Sequence, residues 1–169
     1  MITATEPKLA AALKTLRRNP KLSELVIKME ADGVTVIIEP APPSYSNSKT
    51  ELNYSPTYYC YINSTGDSAK ALNTWGIKGT NEENSIAHEL GHVFWDYLSN
   101  VVKKTGMLDG KPSAITSSQW SDILSEATAR RFDNYSRPAG VIVPTADMRA
   151  ETILERLDFT PFPISIFKN

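Results

Sequence analysis

The sequence predicts a single α+β domain spanning residues 1–169, and three observations carry that prediction. Two β-branched or aromatic runs, "VTVIIE" (34–39) and "YYCYIN" (58–63), read as strands. Several longer segments repeat apolar residues at the helical period. No internal repeat, low-complexity tract or domain linker interrupts the chain, which is long enough at 169 residues to bury its own core.

The elements follow in order. Pro7 suits the first turn of a helix reaching about Arg18, with Leu9, Leu13 and Leu16 on one side. "NPKLSELVIKMEADG" reads as a second helix, capped by Asn19, with Pro20 at its first position and Gly33 as its stop. The first strand run comes next and is ended by "PAPPSYSNS"; "ELNYS" could be a further strand ahead of "YYCYIN". Thr80 and Glu83 form a Thr-x-x-Glu capping box. It opens a helix whose apolar stripe is Ile86, Leu90, Val93, Tyr97 and Val101, ending near Lys103 and Lys104. "QWSDILSEATARRFDNY" is a further helix with Ser118 as its expected cap, and "ADMRAETILERL" is expected to be the last.

Composition excludes more than it assigns. With 18 basic and 19 acidic residues the net charge is −1, which offers no field to attract nucleic acid or an anionic membrane. No apolar run approaches a membrane span, and the N-terminus lacks the pattern of a secretory signal. The single cysteine, Cys60, has no partner for an internal disulfide and is expected to be a small buried residue in a reducing compartment.

The chemistry is concentrated in "AHELGH". Its two histidines are the only ones in the chain. On a helix, His88 and His92 stand one above the other and can turn their imidazoles to one ion. Glu89 projects about 100° round from His88, within reach of a water at that ion rather than the ion itself. It is therefore the expected general base. A helix that merely carries two histidines is the competing reading, but the pattern sits on a capped, periodic helix with its apolar stripe on the other side.

Catalytic zinc usually takes three protein ligands. Trp95 and Leu98 stand where a longer histidine motif would need glycine and histidine. Asp96 lies about 12 Å along the helix from His88, too far for a shared ion. Glu126, amid the small residues Ser125, Ala127 and Ala129, is the expected third ligand. The alternative for it is a surface glutamate paired with Arg130 at i+4. Beyond it, Tyr135 or Arg137 could stabilise an oxyanion near the metal, or could belong to a turn-rich surface loop.

With these residues the chain resembles the gluzincin-type zinc metallopeptidases. It is similar above all to the bacterial effector metallopeptidase family that includes the non-LEE-encoded effector D. The likeness runs through "LKTLRRNPKLSELVIKMEADGVTVII", "IAHELGH" and "SEATARRFDNYSRP". A second resemblance is to the metallopeptidases that cleave phage and radiation-response repressors, through Glu126, Ala129, Phe132 and "VIVP". Arg130 departs from the Glu-x-x-x-Asp pattern of thermolysin-like enzymes, so a partner for a ligand histidine has to come from elsewhere.

The resemblance implies a zincin-like fold with a small sheet flanking the zinc helix and a second ligand-bearing helix. It implies a metalloendopeptidase that binds Zn²⁺ through His88, His92 and Glu126, with Glu89 as base and a protein or peptide as substrate. The expected state is a monomer, cytoplasmic in the producing cell and open to delivery into a target cell without a cleaved signal. The competing classes are a non-catalytic zinc-binding regulatory or toxin-like protein, and hydrolysis of a non-peptide amide.

Overall fold

A computed structural model describes residues 1–51, 57–63, 81–137 and 147–156. Its α+β architecture is a four-stranded sheet covered on one face by helices. The strands are β1 (Ile2–Ala4), β2 (Thr35–Pro40), β3 (Lys49–Glu51) and β4 (Thr57–Ile62), in spatial order β1-β2-β4-β3. β1 and β4 both run parallel to β2, whereas β3 runs antiparallel to β4. The helices are α1 (Pro7–Arg17), α2 (Ser23–Ala31), α3 (Asn81–Tyr97), α4 (Ser117–Tyr135) and α5 (Met148–Arg156).

Alternation along the strands decides which face is covered. Val36 and Ile38 of β2 are buried, as are Tyr58, Cys60 and Ile62 of β4, while the residues between them stay half-buried. That inner face joins Leu9, Leu13 and Leu16 of α1 and the apolar side of α3 in one core. Cys60 is fully buried and free, as expected.

Several boundaries differ from the sequence reading. β1 was not anticipated, because three residues are too short for a period to show. It is fastened instead by long-range contacts: Arg17 Nη2 donates to the Ile2 carbonyl at 2.7 Å, and Glu30 Oε2 accepts from the Ile2 amide at 2.8 Å. α2 begins at Ser23 rather than Pro20, since Asn19 Oδ1 takes the Lys21 amide at 2.8 Å and makes a turn first. α4 is capped by Thr116, not Ser118: its hydroxyl accepts from the Gln119 amide, and Gln119 reciprocates onto the Thr116 amide.

After Tyr97, α3 widens into a π-helical turn, Leu98–Val102. The extra residue per turn rotates the register. Val101, placed in the apolar stripe by sequence, is 42% exposed, and Val102 is buried in its stead. The turn stops at Lys103, whose left-handed φ of 54° breaks the helix. The expected Thr80 cap, the run "VIV" and the C-terminal "FTPFPISIF" lie outside the described residues. Among the described residues, no helix is long and apolar enough to cross a membrane.

Candidate metal centre

α3 and α4 pack closely enough to bring His88, His92 and Glu126 together because Gly91 leaves room. An ideal Cβ at position 91 would stand 2.5 Å from Ala129 Cα and 2.9 Å from the Thr128 carbonyl oxygen. The helices run past each other in opposite senses. His92 thus meets Ser125, Trp95 Nε1 donates to Ser121 Oγ at 3.1 Å, and Asn84 Nδ2 donates to Ser136 Oγ at 2.9 Å.

Glu126 then faces both imidazoles. Its Oε2 lies 3.2 Å from His92 Nε2 and its Oε1 lies 3.5 Å from His88 Nε2. The three side chains are half-buried, and their ligand atoms all lie within 4.8 Å of one another, a group that could hold a metal ion. The spacing fits that use. Two donors bound at about 2.0–2.1 Å to a tetrahedral ion are about 3.3 Å apart. Glu126 also has the i+4 pairing that was its alternative, since Arg130 Nε donates to its Oε1 at 3.3 Å. His92 Nδ1 lies 2.8 Å from Ser125 Oγ. Were Nε2 to hold an ion, Nδ1–H would donate to that hydroxyl and fix the ring. Ser125 is thus the histidine partner that the Arg130 substitution required, and its small size was all that sequence revealed.

The electrostatics favour positive charge between the imidazoles. Burial alone would push the His88 pKa down, but contact with Glu126 and the charges of Glu89, Glu126 and Asp133 outweigh it and raise it. Burial likewise works against a charged Glu126, yet the two imidazoles hold its carboxyl far below the usual carboxylate range. A bound cation supplies the same compensation.

His88, His92 and Glu126 line a cleft of about 420 Å³, together with Ser48, Lys49 and Thr50 of the β3 region, Glu89 and Asp122. Glu89 is 4% exposed, and its Oε2 accepts from the Thr50 hydroxyl. Thr50 was missed because nothing in its local sequence marks it.

Tyr135 and Arg137 are not brought to this cleft. Tyr135 lies nine residues beyond Glu126 on the same helix, about 13 Å along it and half a turn round. Its ring packs on Phe132, with Lys21 over its face. Arg137 is buried, and its Nε donates to Asp133 Oδ1 at 2.8 Å. Neither residue lines the cleft. Asp133 was marked in the sequence without a role of its own. It shares the Glu126 face of α4 two turns on, and burial raises its pKa although Arg137 opposes the shift.

Compared with protein-family models, with curated proteins and with solved structures, the chain gives no match.

Proposed function

We propose that this protein is a zinc-dependent metalloendopeptidase with a zincin-like, gluzincin-type domain. The reading rests most on one observation: His88, His92 and Glu126 converge within 4.8 Å of one another in a cleft that Glu89 also lines. Two neutral imidazoles and one carboxylate are the donors of catalytic zinc sites that keep a position open for water. When bound, the ion supplies a Lewis acid that polarises a carbonyl and makes water nucleophilic near neutral pH.

The chain's own side chains do the rest. Glu89 takes a proton from the attacking water and returns it to the leaving amine, so that proton is never lost to solvent. Ser125 holds the His92 ring, and Arg130 holds Glu126 through Oε1. Among the described residues β3 is an edge strand with β4 as its sheet neighbour, the position from which a strand pairs with an extended substrate backbone. A protein substrate met after delivery into another cell is the use that the effector-type resemblance suggests.

The test is a purified, zinc-loaded protein incubated with a mixed peptide library and read by mass spectrometry. Cleavage by the wild type and its loss in Glu89→Gln, with zinc retained, is the expected result. His88→Ala loses the metal as well. Bound zinc with no cleavage of any peptide or protein would favour the regulatory zinc-binding alternative.

A further inference from the structure

Glu89 is held by a residue outside the metal-binding pattern. Thr50 is the middle residue of β3 and pairs directly with Cys60 of β4. Opposed residues of an antiparallel ladder send their side chains to the same face, here the face that meets α3. The Thr50 hydroxyl has three neighbours there: Glu89 Oε2, the Glu89 carbonyl oxygen at 3.4 Å and Cys60 Sγ at 3.7 Å. A hydroxyl has one proton to give, and the carboxylate is the strongest of the three acceptors. Glu89 is 4% exposed and Cys60 fully buried, so both acceptors on this side are held away from solvent.

We propose that Thr50 is the positioning residue for Glu89: it pins Oε2 to the sheet and leaves Oε1 as the oxygen that exchanges a proton in the cleft. The catalytic part of this assignment rests on the peptidase reading; the pinning itself does not. Because Thr50 belongs to the strand that lines the cleft, the element offered to a substrate backbone also sets the direction of the base. A hydroxyl that only satisfied a buried carboxylate would affect stability and leave turnover alone.

Two variants separate these roles. Thr50→Val keeps the side-chain shape and removes the hydroxyl, whereas Thr50→Ser keeps the hydroxyl. NMR of glutamate-labelled protein, through the Glu89 Cγ proton couplings, reads whether that side chain holds one rotamer. A single rotamer is expected in the wild type and in Thr50→Ser, and averaging in Thr50→Val. With a fluorogenic peptide drawn from the library, Thr50→Val lowers kcat by about tenfold or more, with KM and zinc content unchanged. Thr50→Ser recovers the rate to within about threefold. Full kcat in Thr50→Val, or rotamer averaging in the wild type, overturns the assignment. If the wild type cleaves no peptide, the peptidase reading fails separately. The rotamer measurement then decides the pinning alone: a Glu89 fixed in the wild type and averaging in Thr50→Val upholds it, and one mobile in the wild type or fixed in both overturns it.

Discussion

Glu89 and Asp96 stand two turns apart on α3, about 20° from the same line along the helix. Each is nearly excluded from solvent, at 4% and 5% exposure, and each accepts a hydrogen bond from a hydroxyl on the sheet. Thr50 of β3 serves Glu89, and Tyr58 of β4 serves Asp96. Their surroundings then diverge. Asp96 is closed in by Asn100, whose Nδ2 donates to Oδ1 at 2.8 Å, and burial raises its pKa despite both donors. Glu89 opens on a cleft beside two imidazoles and a third carboxylate. Burial and a hydroxyl donor are therefore common to a fastening carboxylate and to the proposed catalytic one. An opening and a ligand set beside it make the difference.

The contrast can be broken most sharply with Glu89→Gln. Hydrolysis falls by about 10³-fold or more, equivalent to about 4 kcal/mol of barrier, while zinc content and melting temperature hold. Gly91→Ala comes next: its methyl meets the α4 backbone, so unfolding by denaturant should reveal a loss of about 2–3 kcal/mol, with weakened metal binding. Asp96→Asn is the mirror of the first variant. It should cost about 1–2 kcal/mol in the same denaturation experiment and leave the cleavage rate intact. Thr116→Ala removes a cap remote from the cleft and sets a purely structural baseline of about 1 kcal/mol.

The smallest effect concerns Glu30, whose carboxyl is held below its ordinary value of 4.5 mainly by Arg17, against the cost of burial. A carboxylate with a depressed folded pKa adds stability above its unfolded pKa and loses it as pH falls through the folded one. Acid titration of the wild type should therefore lose a fraction of a kcal/mol below about pH 4.5, and Glu30→Gln should lack that part of the decline.

The contrast also explains how much of the molecule could be read in its sequence. His88, Glu89 and His92 lie on one helix, where spacing alone determines which side chains share a face. Glu126 was accessible because a second periodic helix with small neighbours implied close packing. Thr50 was hidden, because its role depends on the register of a three-residue strand against β4 and on where α3 crosses that strand. β1 was hidden for a similar reason, its anchors Arg17 and Glu30 being distant in the chain. Tyr135 and Arg137 show the opposite case: nearness in sequence to Glu126 suggested nearness to the candidate site, but half a turn of helix sends the tyrosine away. Asp133 takes the arginine. Local periodicity thus yields the ligand helices, while the residues that aim them come from tertiary register.

Zinc K-edge X-ray absorption on the zinc-loaded protein tests the central claim most directly. The account predicts a shell of nitrogen and oxygen donors at about 2.0–2.1 Å with the outer-shell signature of two imidazoles, lost in His92→Ala. Absence of bound zinc, a sulfur shell at about 2.3 Å, or an unchanged spectrum in that variant would contradict it.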